Sequence, residues 1–365
     1  MEPTNTSSLP DLRSTHDVER VLEFEFVRAT ENAALQAIHW LGRGDKESAD
    51  AAACSAIAGV FDLLDVRGEV VIGEGIKDEA PGIFVGHKLG TWKEGSPRFD
   101  IALDPVDGTS NVAKGLPNSI SVMAAAQVPD GVKMAMRHLP SFYSHKIAYG
   151  PAVREAMAKS GHLPFLSMPT GEVLAFVAKA LGKRVRDLVI VTMDRPRHSD
   201  LIQEIRQSGA ALRMITDGDI TAAVAPSLPE SGVDLYIGIG GTPEGILAAA
   251  AIKCLGGDMQ MAMWLANDDQ REQAALVVGE TELMCHYRVD DLIMGESSLF
   301  CATGISDSPL VPGVKLTAHR AETHSILMRA RSGTVRHIRA THDLDRKFIP
   351  LRDGFFPETP DTTTP

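Results

Sequence analysis

Cysteine is scarce in this sequence, and so are long apolar runs. The four cysteines are spread over 365 residues and form no CxxC pair, which predicts a reduced protein of the cytoplasm. No apolar run reaches the length that a membrane-spanning helix needs. The polar first residues, MEPTNTSSLPDL, contain no apolar segment of the kind found in secretory signals, so we expect no such signal. The sequence therefore predicts a soluble, cytoplasmic protein.

Positive charge is also in deficit, because 36 lysine and arginine residues stand against 48 acids and give a net charge of −12. Such a balance argues against nucleic acid or an anionic membrane as the main partner. It does not exclude a phosphorylated substrate, because bound metal ions can reverse the field at one site. The length predicts one large or two fused domains, and 44% hydrophobic residues are ordinary for a globular protein.

The stretch that carries most chemical information is Phe99–Thr109, FDIALDPVDGT. Its first half alternates apolar and polar residues as a strand does, and the proline is expected to end that strand. Asp104 and Asp107 then lie at the end of a sheet, beside the backbone amides of Gly108 and Thr109. Hard carboxylate oxygens next to amide donors suit Mg²⁺ or Mn²⁺ holding a phosphoryl group. A purely structural acidic turn explains the same motif.

Two helices are predicted before this stretch. The first begins near Val18 and is terminated by Gly42, and the second has Asp45 as its N-cap. Asp50 lies on the inward face of the second helix, in its first turn. A structural hydrogen bond and a ligand role both account for an acid at that position.

A glutamate with glycine on both sides follows the predicted strand Val70–Ile72. Acids so placed at strand ends are unusual unless the backbone must approach something closely, although a solvated loop residue is the alternative for Glu74. Further strands are predicted at 119–126 and within 137–148, the latter an edge strand with Tyr143 near its middle.

From about residue 170 helices and strands alternate, which predicts a mostly parallel sheet with its site at the carboxyl ends of the strands. Three loops there carry polar clusters, at residues 193–198, 216–219 and 238–245. The last of these opens a helix in which Thr242 is expected to be the N-cap and Glu244 the second helical residue. Its GIGGTPEG sequence fits neither the dinucleotide fingerprint nor the P-loop, because it lacks the third glycine of the former and the lysine of the latter.

DPVDGT resembles the signature of the lithium-sensitive, metal-dependent sugar-phosphate and inositol-phosphate phosphatases. Eight ordered motifs, spanning about residues 19–348, together resemble the class II fructose-1,6-bisphosphatases of bacteria: GRGDKESAD, VVIGEGIKDEAP, DPVDGT, RPRH, DGD, GIGGTPEG, CATGI and HDLDRK. The resemblance implies an α/β protein with an α+β N-terminal part, a layered αβαβα sandwich of the fructose-1,6-bisphosphatase and inositol monophosphatase type. We expect a metal-binding domain at 18–165 and a sugar-phosphate domain at 166–351, with a disordered arm at 1–17 and a disordered tail at 352–365.

The family's functional positions map onto acids, arginines and glycines of this chain. By this resemblance the metal ligands are Asp50, Glu74, Asp104, Asp107 and Glu244. The substrate contacts implied in the same way are Asp107, Gly108, Thr109, Tyr143, Arg195, Arg197, Asp217, Gly218, Asp219 and Gly241. Two or more Mn²⁺ or Mg²⁺ ions per site and a homo-oligomer, dimer or tetramer, are implied as well.

These residues suggest a mechanism for hydrolysis of a phosphate ester. Thr109 would orient a water molecule through its hydroxyl, and Asp50 would accept a proton. Backbone N–H groups at Gly108 and Thr109 would hold phosphoryl oxygens. The remote phosphate would be bound by Arg195 and Arg197, and the sugar hydroxyls by Asp217 and Asp219.

Three positions depart from the usual class II pattern: Ile76 replaces a second glutamate, Asp107 replaces a glutamate, and Arg195 replaces a lysine. Hydrolysis of the 1-phosphate of fructose 1,6-bisphosphate is the predicted activity. Sedoheptulose 1,7-bisphosphate, both sugars in a bifunctional enzyme, and inositol phosphates are the alternative substrates. A degenerate phosphatase retained as a sugar-phosphate-binding protein is the alternative that involves no catalysis.

Overall fold

The structure of the chain is a computed structural model that describes residues 18–73, 82–295 and 297–355. Four predicted features lie outside the described residues: the arm at 1–17, the tail beyond residue 355, Glu74 and Ile76. None of the helices in the described ranges is both long enough and apolar enough to cross a bilayer. The four cysteines form no disulfide with one another, which agrees with their spacing in the sequence.

Helices and strands alternate along most of the described chain. The helices are α1 Val18–Ala37, α2 Lys46–Phe61, α3 Thr109–Lys114, α4 Pro151–Lys159, α5 Thr170–Ala180, α6 Ser199–Ser208, α7 Asp219–Val224, α8 Thr242–Cys254, α9 Asp268–Val278, α10 Glu280–Leu283 and α11 Val289–Leu292. The strands are β1 Arg67–Ile72, β2 Lys88–Leu89, β3 Arg98–Asp107, β4 Ile120–Gln127, β5 Tyr143–Tyr149, β6 Val189–Met193, β7 Ala211–Ile215, β8 Leu235–Gly241, β9 Asp258–Trp264, β10 His286–Arg288, β11 Ser298–Gly304, β12 Lys315–Leu316, β13 Arg320–Arg329 and β14 Thr334–Asp343.

The first sheet has eight strands, in the order β12-β13-β11-β4-β3-β1-β2, with β14 paired to β13. Among its described pairs only β1 and β3 run parallel. β11 and β12 pair with successive parts of β13, and β14 pairs with β13 along its whole length. The sheet therefore joins strands from both predicted domains, and the division at residues 165 and 166 stays a prediction.

The second sheet has six strands, in the order β10-β9-β5-β8-β6-β7. The prediction of a mostly parallel sheet was wrong: β6 runs parallel to β7 and β8, but β5, β8, β9 and β10 pair antiparallel. The alternation of helices and strands predicts parallel pairing only for strands that are connected through a helix. β5 comes from an earlier part of the chain, lies between β8 and β9, and pairs antiparallel with both. β5 is thus a central strand, not the predicted edge strand, and Tyr143 stands at its start.

Five layers pack around three apolar cores, and the central core contacts both sheets. Helices α1 and α2 cover one face of the first sheet with residues such as Phe26 and Ile57. Helices α7, α8 and α11 fill the space between the two sheets, and α8 is buried on nearly every side, as expected for a helix enclosed between layers. Helices α4, α5 and α6 cover the far face of the second sheet. This αβαβα order confirms the predicted α/β sandwich.

The predicted N-cap of α2 is confirmed, because the Asp45 side chain accepts a hydrogen bond from the Ser48 N–H at 3.0 Å. The start of the predicted tail, in contrast, was placed too early. Arg352 forms an ion pair with Asp62, and its carbonyl accepts a hydrogen bond from Ser55 at 2.8 Å. Phe355 is buried against the first core, which composition alone did not reveal.

Candidate active site

The end of β3 differs from the prediction, and this difference brings two acids of the site together. The strand does not end at Pro105 but continues to Asp107, with a shift in its pairing to β4 between Asp104 and Asp107. Three steps along β3 oppose two along β4, as at a β-bulge, and the proline, which has no N–H, lies within the shift. In a regular strand residues three apart face opposite sides. The extra residue lets Asp104 and Asp107 line one cavity.

Gly108 follows in the left-handed conformation, with φ of 86°, and precedes α3. A Cβ atom there would lie 2.6 Å from the Asn118 carbonyl oxygen, so both conformation and space require glycine. Its own carbonyl accepts a hydrogen bond from the Ser119 hydroxyl at 2.9 Å. The turn that carries Asp107 and Thr109 is therefore held rigidly against the start of β4.

Two adjoining cavities collect the predicted residues. The acid cavity, about 590 Å³, is lined among others by Asp50, Asp104, Asp107, Gly108, Thr109, Tyr143, Asp217, Gly241 and Glu244. The arginine cavity, about 380 Å³, is lined among others by Asp107, Tyr143, Arg195, Arg197, Asp217, Asp219, Gly241 and Glu244. Of the predicted residues that the structure describes, only Gly218 is absent from both walls. The loops after β6, β7 and β8 meet here, as their position at strand ends predicted.

Glu244 enters the cavity from the start of α8, in the third helical position. Gly241 is the N-cap, so the assignment of Thr242 to that place was wrong by one residue. The Thr242 hydroxyl instead donates to the Phe142 carbonyl at 2.9 Å and contacts the Ser144 hydroxyl at 2.7 Å, which ties the helix to β5. The Glu244 carboxylate folds back so far that a Cβ at Gly241 would lie 1.9 Å from Oε2.

Negative charge accumulates on the walls of the acid cavity. Burial raises the pKa of the Asp107 carboxyl well above its usual range, and Asp104 and other nearby acids raise it further. Burial also raises the pKa of Glu244, with Asp219 adding to the effect and Lys146 opposing it. In the described residues, Asp107 Oδ2 and Glu244 Oε2 are buried and have no hydrogen-bond partner.

Carboxylate oxygens are hard donors of the kind that Mg²⁺ and Mn²⁺ bind, and two of them, Asp107 Oδ2 and Glu244 Oε2, are buried without a hydrogen-bond partner among the described residues, so the acids fit a divalent metal ion chemically. The described acids are spaced more widely than the ligands around a bound metal ion. Within residues 18–73, 82–295 and 297–355, no three acid, histidine or cysteine side chains are grouped as ligands of one ion. The four described acids thus border a common space, and the fifth predicted ligand, Glu74, lies outside the described residues.

The arginine cavity is anchored on β8. Arg197 donates through Nε and Nη2 to the Ile239 carbonyl at 3.0 and 2.8 Å, and its guanidinium lies 4.7 Å from the centre of the Tyr143 ring. The Ile239 N–H in turn donates to His198 Nε2 at 2.7 Å. These bonds fix the direction of the loop that carries Arg195 and Arg197.

Asn118, which sequence reasoning missed, joins the two halves of the site. Its Nδ2 donates to the Asp217 carbonyl at 2.7 Å, and its Oδ1 accepts from the Thr221 hydroxyl at 2.7 Å. Gly218, with φ of 81°, packs so closely that a Cβ would lie 2.4 Å from Asn118 Nδ2. Asn118 itself has φ of 74°, a conformation that asparagine tolerates better than most residues. That tolerance was its only signal in the sequence.

Lys146 and Gln270 were also missed. Gln270 reaches the acid cavity from the first turn of α9. Lys146 is 1% exposed on β5, the strand that was predicted to be an edge strand. A lysine within a strand carries no signal of burial, because its partner comes from a distant segment.

His198 makes the folded state sensitive to acid. Burial, aided by Arg197, lowers the pKa of His198 to about 4. The unfolded chain takes up this proton near pH 6.5, so stability is lost as the pH falls from about 6.5 towards about 4. Between pH 7 and pH 5 we expect this residue to lower the free energy of unfolding by about 2 kcal/mol.

Urea unfolding of the wild type and of His198→Gln at both pH values measures this contribution. The glutamine amide oxygen can accept the Ile239 hydrogen bond but does not titrate. The variant should therefore lose about 2 kcal/mol less than the wild type between pH 7 and pH 5. Equal losses in the two proteins would show that folding does not lower the pKa of His198.

A layered α/β sandwich whose strand ends bring acids, arginines and glycine turns around two adjoining cavities is suited to a phosphate-ester site of the phosphatase type. A sequence model of the bacterial fructose-1,6-bisphosphatases, glpX-encoded, matches residues 20–342. The chain belongs to this family, which confirms the resemblance seen in its motifs.

Curated relatives agree over nearly their whole length. The chain is 39% identical over 340 residues to a protein of Haemophilus influenzae named fructose-1,6-bisphosphatase class 2, covering 89% of this chain and 97% of the relative. It is 37% identical over 341 residues to the Escherichia coli K12 protein named fructose-1,6-bisphosphatase 1 class 2, covering 90% and 97%.

Proposed function

We propose that this chain hydrolyses the 1-phosphate of fructose 1,6-bisphosphate, giving fructose 6-phosphate and inorganic phosphate. The observation that carries the proposal is the meeting of six acids and two arginines, from separate segments, on the walls of two adjoining cavities. A sugar with a phosphate at each end needs two such places, one for the reacting ester and one for the remote phosphate. Family membership supports the same activity.

The acid cavity is the place for the reacting phosphate. Asp50, Asp104, Asp107 and Glu244 would hold divalent metal, two or more Mn²⁺ or Mg²⁺ ions, with Glu74 as a further ligand. Metal bound there would neutralise phosphoryl charge and lower the pKa of water. The N–H groups of Gly108 and Thr109 would bind phosphoryl oxygens, since both residues line this cavity.

Thr109 and Asp50 are proposed to act on the attacking water. Both line the acid cavity together with Asp107. The threonine hydroxyl would accept a hydrogen bond from the water and orient it, and Asp50 would take up the proton that the reaction releases. The rest of the barrier would be lowered by holding the ester and the water in contact.

The arginine cavity is the place for the sugar and the remote phosphate. Arg195 and Arg197 would bind the phosphate, and Arg197 is already oriented by the Ile239 carbonyl and the Tyr143 ring. Asp217 and Asp219 would accept hydrogen bonds from sugar hydroxyls. Gly218 shapes the turn that separates these two acids, and Tyr143 and Gly241 lie on the wall shared by both cavities.

Phosphate release from fructose 1,6-bisphosphate tests the proposal. Purified protein with Mn²⁺ or Mg²⁺ should release phosphate well above an Asp104→Ala control, and faster than from sedoheptulose 1,7-bisphosphate or inositol phosphates. A higher rate on either alternative would reassign the substrate and keep the phosphatase. Thermal stabilisation by fructose 1,6-bisphosphate without any release would favour the non-catalytic binding protein.

Removal of metal with EDTA is expected to abolish phosphate release, and excess Mn²⁺ or Mg²⁺ should restore it. Metal should also raise the melting temperature of the wild type, because it neutralises buried acids, and should do so less in Asp107→Asn. Activity that survives an excess of chelator would be incompatible with the proposed chemistry.

We also propose that the chain forms a homo-oligomer, a dimer or a tetramer, and that it acts in the cytoplasm. Light scattering of the purified protein measures the first directly.

A further inference from the structure

Lys146 is a fully buried lysine that belongs to no predicted site. Its side chain is 1% exposed, a rare state for lysine unless the ammonium is paired. The stem passes against glycines at the end of β8 and in the first turns of α8. A Cβ at Gly240 would lie 3.0 Å from Nζ, and one at Gly245 would lie 3.1 Å from Cδ. The glycine-rich sequence GIGGTPEG, which fits no nucleotide motif, thus makes room for a lysine.

The ammonium group joins two loops of the site. Lys146 Nζ lies 2.6 Å from Asp219 Oδ2 and donates to the Gly241 carbonyl at 2.9 Å. The Tyr236 hydroxyl reaches the same Asp219 oxygen at 3.5 Å. Because Asp219 is only 5% exposed, its direction is determined by these buried partners.

We propose that Lys146 is a positioning residue, which holds the Asp219 carboxylate and the Gly241 backbone in place for the sugar of the substrate. The inference rests on the proposed function, in which Asp219 accepts hydrogen bonds from sugar hydroxyls. Asp219 and Gly241 line the arginine cavity, and Lys146 stands behind them. It acts through its neighbours and does not touch the substrate.

A merely structural ion pair would behave differently. A buried pair can often be replaced by apolar groups at little cost, whereas loss of one partner leaves a buried charge. If Lys146 and Asp219 served stability alone, the double replacement would restore the protein fully. If the pair positions the sugar, the double replacement restores stability and leaves substrate binding impaired.

The test compares Lys146→Met, Asp219→Asn and the double variant with the wild type. Methionine fills the channel without the ammonium. We expect each single variant to raise KM for fructose 1,6-bisphosphate about tenfold, the effect of losing one good hydrogen bond, with kcat changed less than threefold. The double variant should be no worse in KM than the singles, because both act through one contact, and should melt at a higher temperature than Lys146→Met.

Lys183→Met is the matched control, because Lys183 pairs with Asp234 at the same 2.6 Å distance away from both cavities. It should lower stability slightly and leave KM unchanged. Gly240→Ala is an independent variant, since its Cβ would lie 1.9 Å from Asp219 Oδ2. It keeps both charges, displaces the carboxylate, and should reproduce the rise in KM.

Binding of fructose 6-phosphate, measured by calorimetry on the same proteins, separates the two proposals. A wild type that binds this sugar without hydrolysing the bisphosphate would overturn the proposed function alone, and the binding constants would then decide the role of Lys146. Unchanged KM and unchanged sugar binding in Lys146→Met and Gly240→Ala would overturn the positioning role. A wild type that neither binds nor hydrolyses overturns both.

Discussion

Replacement of Asp107 by asparagine is expected to lower kcat/KM by roughly a thousandfold or more while making the metal-free protein more stable. Asp107 lines both cavities and is 5% exposed, so the substitution changes the charge of the site and hardly its shape. Loss of a proposed metal ligand removes both the ion and the charge that the reaction needs. Phosphate release and thermal unfolding without metal measure the two effects.

The gain in stability follows from the raised pKa of Asp107. An acid whose pKa is higher in the folded state than in the unfolded chain destabilises the fold as the pH rises above the unfolded value. The neutral amide removes that effect and the repulsion from Asp104. We expect a gain at pH 8 of about 1.4 kcal/mol for each pKa unit by which folding raises the pKa of Asp107, and little gain at pH 4.

Asp100→Asn is the control on the same strand. Asp100 is also fully buried, but its Oδ2 accepts hydrogen bonds from the Ala135 and Met136 N–H groups at 2.6 and 3.1 Å. Replacing an oxygen that accepts such bonds should destabilise the protein and leave kcat/KM of the folded fraction near that of the wild type. Lower stability in Asp107→Asn as well would show that this acid, too, has a structural partner.

Gly241→Ala is expected to lower kcat/KM about a hundredfold with little change in melting temperature. The backbone at Gly241 has φ of −60° and ψ of 143°, which any residue adopts, so the substitution introduces no backbone strain. The new methyl group would lie 1.9 Å from Glu244 Oε2, and the end of this flexible side chain would move away. A displacement of about 1 Å at a reacting centre can cost that much.

Gly171→Ala supplies the matched control, since its Cβ meets no atom within 4 Å in the described part of the chain. It adds the same methyl group in helix α5 and should leave activity unchanged. Both variants should be followed by phosphate release and by Mn²⁺-induced thermal stabilisation, which Gly241→Ala should weaken. Full activity in Gly241→Ala would mean that Glu244 works equally well from another position and has no fixed role.

Local rules predicted much of the site, because its parts are short-range. The Asp45 cap, the turn at Asp107-Gly108 and the loops after β6, β7 and β8 each follow from a few neighbouring residues. Loops at the same edge of a sheet lie close together, so their meeting could be predicted without knowledge of distant contacts. Two acids three residues apart could therefore be placed at that edge before the fold was known.

Features that depend on distant partners could not be predicted in the same way. Pro105 was expected to end β3, but the strand continues past it with a bulge in β3 opposite β4. β5 was predicted to be an edge strand, but its residues Lys146 and Ser144 are bonded to the distant residues Asp219 and Thr242 in the interior. The sheet direction was missed for the same reason, because helix-strand alternation says nothing about a strand inserted from another part of the chain.

Asn118 connects the two sheets beside the site. It precedes β4 of the first sheet, and it grips the loop after β7 of the second sheet through hydrogen bonds at 2.7 Å. Gly108 touches its backbone on one side and Gly218 its amide on the other. One amide side chain therefore links the turn that carries Asp107 to the loop that carries Asp217, so these two parts of the cavity walls are held at a set distance from each other.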